Sequence, residues 1–322
     1  MFALLRFGRS NVMGVWGTSL YSGDFAMDLR GTIGAVLRLP FDVDKLVDIL
    51  CEHELTAAMN PDDEDHATFW LVLADQFAKR GIDSERARST ALAIIDADAD
   101  VAAVGKLGMK RADIRKRRKM LHELRARILE KPSGPTRRAT LKNPQPLMME
   151  AGDVLVYPTC GGRSINPYYP SKELNVYYDK GGPRPWEQDG WAAMVVIDCG
   201  RAFGFLSWYR GVTIVYAQPG KPSVDNLRGE VLWRLGSPGT CSASHFKKME
   251  LEKIGVLPID QEKLKQVFPD LRPGVSAAVQ DISIANSMNT APDVQASSIP
   301  KPGELAKGHA STMMGIEQIL QQ

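Results

Sequence analysis

Two aspartates four residues apart, Asp24 and Asp28, follow the stretch MGVWGTSLYSG. At i and i+4 of a helix they share one face, where like charges repel by about 0.2–0.5 kcal/mol unless a cation compensates. That spacing suits a divalent metal or a basic group. It equally suits a fold in which Asp24 charges the first helical turn against the dipole and Asp28 pairs with an arginine. A second acidic group, Asp62, Asp63, Glu64, Asp65 and His66, has the residue types of a metal-dependent hydrolase. Asn60 and Pro61 account for the same run as a helix start, with Asn60 capping and Pro61 at the first helical position. No second histidine stands at zinc-enzyme spacing. His53-Glu54-Leu55-Thr56 opens like a zincin motif, but Ala57 follows where that motif requires a second histidine soon after.

Nucleophile candidates are Cys160, in PTCGGRS, and Cys241 with His245 four residues on. A reactive thiol needs an electropositive, partly exposed setting, and a structural thiol is the competing reading for both. Gly161-Gly162 lacks the Gly-Lys-Ser/Thr of a phosphate-binding loop, and Gly14 and Gly17 precede no dinucleotide-binding unit, so no cofactor is expected. Cys51, Cys160, Cys199 and Cys241 form no close pair, which points to a reducing, cytoplasmic compartment.

Charge is unevenly placed. The net charge is +2, yet residues 110–142 hold thirteen Lys or Arg against three acids, a local balance of +10 that leaves about −8 elsewhere. Arg115, Lys116, Arg117, Arg118 and Lys119 form its centre and are candidate nucleic-acid contacts, because clustered cations attract phosphate regardless of base sequence. Five consecutive residues spread around a helix rather than along one face, so a solvated connecting helix or one that meets an acidic partner fits equally. The segment RSINPYYPSKELNVYYDKGGPRPWEQDGW mixes Tyr168, Tyr169 and Trp186 with Pro, Gly and charge, as recognition loops do. Near the end, Met313, Ile316, Ile319 and Leu320 restore apolar spacing after a Ser-, Thr-, Ala- and Pro-rich stretch. They are expected to form a short docking helix on a disordered arm, residues 286–322.

The elements that would position these residues change character midway. Apolar steps of three and four predict helices over 24–38 and 43–50, one opening at Asn60-Pro61 and carrying Phe69, Trp70, Leu73 and Phe77, one over 84–95, and a long basic helix over 111–131. KPSGPTRRATLKNPQP then supplies four prolines and a glycine, a linker over 132–146. From 147 to 285, runs rich in β-branched and aromatic residues predict an antiparallel barrel or sandwich. Cys199-Gly200-Arg201 and Arg210-Gly211 read as its turns, and Ser242 or Ser244 as the cap of a helix reaching about Ile254. A short helix over 260–267 is also expected. The class is α+β: an α-helical domain over 13–131 followed by an antiparallel β domain with a terminal helix. Residues 1–12 read as an extension, with Met13 as an alternative start.

A hydrophobic fraction of 44% and a charged fraction of 24% are those of a globular protein. No run approaches the roughly 20 apolar residues of a membrane span, so no membrane partner is expected. Met13-Gly14-x-Trp16-Gly17-Thr18, Asp24-x-Ala26-x-Asp28, and then Phe69-Trp70 with Leu73-Ala74 and Gln76, resemble a family of bacterial proteins of unknown function that begin MGxWGTG and continue D-x-A-x-D. The resemblance covers about residues 13–131, and Ser19 stands where the family has its second glycine. The β-rich half, opening at Gly152-Asp153-Val154, resembles the immunity domains of bacterial toxin systems. That likeness implies a non-catalytic binding protein of toxin immunity or phage defence with a protein partner. The alternative is a nucleic-acid-binding protein or a metal-dependent hydrolase acting on nucleic acid.

Overall fold

The computed structural model describes residues 17–130, 136, 138–168, 173–174, 184–229, 231–290 and 313–321. The chain divides into two compact units, Met1–Asn143 and Pro144–Gln322. The class is α+β. Tyr169, Trp16 and residues 1–12 lie outside the described residues.

Unit 1 contains seven helices among its described residues: α1 Asp24–Val36, α2 Val43–His53, α3 Leu55–Met59, α4 His66–Lys79, α5 Glu85–Asp96, α6 Ala99–Lys106 and α7 Arg111–Leu129. Two of the starts follow ordinary capping chemistry: Asp42 accepts from the Lys45 amide at 2.8 Å to open α2, and Ser84 from the Ala87 amide at 3.3 Å to open α5. The helix expected from Asn60-Pro61 begins later, at His66. Asn60 Oδ1 takes the Asp62 amide and Asp63 Oδ1 the Asp65 amide, so 60–65 is spent in two successive side-chain-closed turns before the helix begins. α4 is the hub. It buries an unbroken run from Phe69 to Phe77, and α1, α3, α5, α6 and α7 all pack on it.

Unit 2 is a six-stranded antiparallel sheet in the order β7-β1-β4-β5-β6-β8, curled into a half-barrel. Its strands are β1 Asp153–Thr159, β4 Gly190–Ala202, β5 Leu206–Ile214, β6 Leu232–Leu235, β7 Glu252–Val256 and β8 Met313–Gly315; β2 Glu173–Leu174 and β3 Arg184–Pro185 pair separately. Val154 lies opposite Val195 and Met194 opposite Thr213. The segments after the two edge strands meet at Ile259 and Leu320.

Two expected turns are strand interior. Cys199, Gly200 and Arg201 run inside β4, and Arg210 and Gly211 inside β5. The hairpin turns instead at Phe203 and Gly204, whose φ values are +51° and +76°, the left-handed region that glycine enters at little cost. Gly200 is there for space: a Cβ on it would sit 2.9 Å from the Trp208 ring across the strand pair. The helix expected to reach Ile254 is α8 Ala243–Lys248, capped by Ser242 at 3.2 Å from the His245 amide; Glu250 at φ +54° ends it and turns the chain into β7. α9 Gln261–Val267 starts on Asp260 as expected, and α10 Val275–Val279 completes the helices of this unit's described residues.

The terminal apolar residues do not form a docking helix on a free arm. Met313, Ile316, Ile319 and Leu320 are buried, β8 is hydrogen-bonded to β6, and a 3-10 turn over Ile316–Ile319 follows. The stretch regains apolar character because it belongs to this unit's own core.

Candidate functional site

The densest polar constellation lies on the hub helix of unit 1. α4 places Asp75, Gln76, Lys79 and Arg80 on successive turns, with Asp75 and Gln76 buried among its apolar residues. A buried carboxylate is costly unless cations and donors surround it. Here Tyr21 Oη donates to Asp75 Oδ2 at 2.5 Å, Lys79 Nζ lies 2.5 Å from the same oxygen, and Arg127 from α7 reaches Oδ1. Gln76 donates to Tyr21 Oη, and Arg80 donates to Gln76 through its side-chain and backbone oxygens. Burial, and then the Asp75 carboxylate, push the Tyr21 hydroxyl well above the usual tyrosine range, so it stays protonated as a donor. Arg30 from α1 and Lys79 lie over the Tyr21 ring at 5.6 and 5.1 Å from its centroid, within cation–π range.

Two cations, Arg30 and Lys79, therefore lie over the Tyr21 ring, while Arg127 meets the Asp75 carboxylate beneath it and Arg80 the neighbouring Gln76. Among the described residues, Asp75 is the one carboxylate within ion-pair distance of any of the four. Lys79 and Arg127 are nearly half exposed, at 45% and 43% of their side-chain surface, and Arg30 is exposed. The arrangement offers cationic donors at the surface, anchored from below, and is suited to holding an anion.

The basic run on α7 behaves differently. Arg117 is buried and makes a two-pronged pair with buried Asp100, Nε to Oδ2 and NH2 to Oδ1 both at 2.8 Å, while NH1 donates to the Ser19 carbonyl at 2.6 Å. It is a tie between α6, α7 and the segment entering α1, and is not a nucleic-acid contact. Arg118 pairs with Asp98 at 3.0 Å, Arg125 with Asp96 at 2.8 Å and Lys116 with Asp113 at 3.2 Å. Arg115 and Lys119 are exposed.

The acidic candidates are not gathered as a metal site would gather them. Asp24 is exposed at the first position of α1, Asp28 exposed one turn on, and Asp62 exposed in the turn before α4. His66 Nδ1 lies 2.8 Å from the Ala57 carbonyl. Asp24, Glu64 and Asp65 line one cleft above the Arg117–Asp100 pair, without Asp28, Asp62, Asp63 or His66. Among the described residues no group of three or more His, Cys, Asp or Glu is placed to hold a metal ion.

Burial pushes the Cys241 thiol of unit 2 up to about 12, and raises the thiols of Cys199 in unit 2 and Cys51 in unit 1 above their usual range. Raised that far, the Cys241 thiol is a poor nucleophile near neutral pH. His245 meets Tyr168 edge to face, ring centroids 4.8 Å apart, and its buried Nδ1 has no hydrogen-bond partner among the described residues. Tyr168 is exposed, with its hydroxyl 3.3 Å from the Asp281 carbonyl. Trp186 is buried, so it is not a surface contact.

Sequence reasoning took α4 as core and missed Asp75. The signal was the pair Asp75-Gln76 inside a run that is otherwise apolar from Phe69 to Phe77. No family profile, curated protein or solved structure matches this chain.

Proposed function

We propose that the protein works by binding rather than by catalysis, and that it recognises a protein partner in a bacterial toxin-immunity or phage-defence setting, as the resemblance of its β-rich half implies. One observation carries the preference for protein over nucleic acid. The basic helix α7 spends Lys116, Arg117, Arg118 and Arg125 on Asp113, Asp100, Asp98 and Asp96. Duplex nucleic acid carries its charge evenly along its length and rewards a matching stripe of free cations. A helix with five of its eight Lys and Arg answered by the fold's own acids is poorly suited to that task.

Affinity purification of the full chain from its native host, with and without nuclease treatment, tests the reading. A protein recovered in stoichiometric amount and retained after nuclease supports it. Recovery of nucleic acid alone, or of nothing, overturns it.

A further inference from the structure

We infer that the cluster around Tyr21 and Asp75 is where the partner docks, and that it takes an acidic segment of that partner, one presenting Asp or Glu carboxylates. The inference rests on the binding reading above and adds the place and the chemistry.

Charge is the first argument. Arg30, Lys79, Arg80 and Arg127 bring four positive charges to one spot, and Asp75 returns one. Elsewhere on this unit cations meet acids at least one for one where they pair, as at Arg125 with Asp96, Arg86 with Asp48 and Arg88 with both Asp83 and Glu85. Crowded like charges repel, so a fold that concentrates them leaves a place whose energy improves when an anion arrives.

Pre-organisation is the second. Asp75 is anchored on the buried hub helix and holds Lys79 and Arg127 from beneath, while Tyr21 lies under Arg30 and Lys79. Long cationic side chains lose rotamer freedom when they bind, and restraining them beforehand reduces that loss. A cation over a ring face spends no N–H donor on it, so the planar donor fork of Arg30 remains suited to a carboxylate.

Shape is the third. The cations gather about the hydrogen-bonded Tyr21–Asp75 pair, Arg30 and Lys79 over the ring and Lys79 and Arg127 on the carboxylate, instead of following a helix axis. A compact knot of charge matches a few carboxylates on a folded surface or short segment better than the extended line of a phosphate backbone.

The test uses the purified full chain and two fluorescent probes, a peptide of ten glutamates and a single-stranded DNA 20-mer, followed by anisotropy at low and moderate salt. The peptide is expected to bind saturably, to weaken as salt rises, and to bind at least about tenfold more weakly to the Arg30→Glu/Arg80→Glu variant. Arg115→Glu/Lys119→Glu, on the outer face of α7, is expected to leave peptide binding within about twofold. Arg30→Gln, which touches only the face of Tyr21 among the described contacts, is the second variant should the double reversal fail to fold, and it too is expected to weaken the peptide. No saturable peptide binding, peptide binding unchanged by the Arg30 and Arg80 variants, or tighter binding of the DNA overturns the inference. A native partner that is recovered but still held by Arg30→Glu/Arg80→Glu overturns the docking site alone, whereas recovery of no partner overturns the binding reading itself.

Discussion

Asp100 and Arg117 are each almost fully buried, at 2% and 3% of their side-chain surface. Removing one member of such a pair strands the other charge, which costs about 3–5 kcal/mol. Asp100→Ala is therefore expected to destabilise unit 1 by about that amount in urea unfolding, and Asp100→Ala/Arg117→Met to recover most of the loss. A loss below about 1 kcal/mol for the single variant would show that the pair does not hold α6, α7 and the Ser19 segment together. Arg117 was legible in part: Ile114, Arg117, Leu121, Leu124 and Ile128 recur at steps of three and four, so the arginine fills a gap in a buried stripe. Its partner was not, because nothing local marks Asp100 as the buried acid among Asp96, Asp98 and Asp100. The same limit applies to Asp75, whose contacts with Tyr21 and Arg127 span 54 and 52 positions. In unit 2, burial lowers the His245 pKa below its ordinary 6.5. The sign follows from linkage: as pH falls below about 6.5 the unfolded chain takes up a proton that the folded imidazole resists, so stability falls until the lower folded value is passed. Urea midpoints at pH 7.5 and pH 5 are expected to differ less in His245→Gln than in the natural chain. An equal difference in both would remove His245 from the acid response.

At the scale of elements, the terminal strand decides between two pictures of the chain's end. β8 closes one edge of the sheet, and Met314, Ile316 and Ile319 are fully buried behind it. Ile319→Ala is expected to cost about 2–5 kcal/mol of unit 2 stability, the range for deleting a buried aliphatic side chain. A free docking arm would tolerate that change, so an unchanged unfolding midpoint would contradict the strand assignment. Starts of elements were largely legible, since Asp42, Ser84, Ser242 and Asp260 all cap where short polar residues precede an apolar period. The hairpin turn was not: Gly200 looks like a turn residue, but it is required by the Trp208 ring lying across it, a cross-strand contact that no single strand announces. A three-residue strand such as β8 shows no period of its own, and its partner β6 lies far earlier in the chain.

At the scale of the molecule, the α-to-β change in character and the class were legible from helical periodicity in the first half and β-branched, aromatic runs in the second, while the candidate site was not. Composition located the basic excess between residues 110 and 142 correctly as a feature of sequence, yet the fold answers much of it internally through Asp96, Asp98, Asp100 and Asp113. The cluster of Arg30, Lys79, Arg80 and Arg127 draws only Arg127 from that run, and only the packing of α1, α4 and α7 brings the four together. No described helix is long and apolar enough to cross a membrane. The central claim is that this cluster is the surface by which the protein recognises another protein. Purification from the native host, run side by side with the natural chain, Arg30→Glu/Arg80→Glu and Arg115→Glu/Lys119→Glu, tests it most directly. The account predicts one nuclease-resistant protein partner recovered with the natural chain and with the α7 variant, and lost with Arg30→Glu/Arg80→Glu. A partner retained by the Arg30 and Arg80 variant, or lost only with the α7 variant, would contradict it.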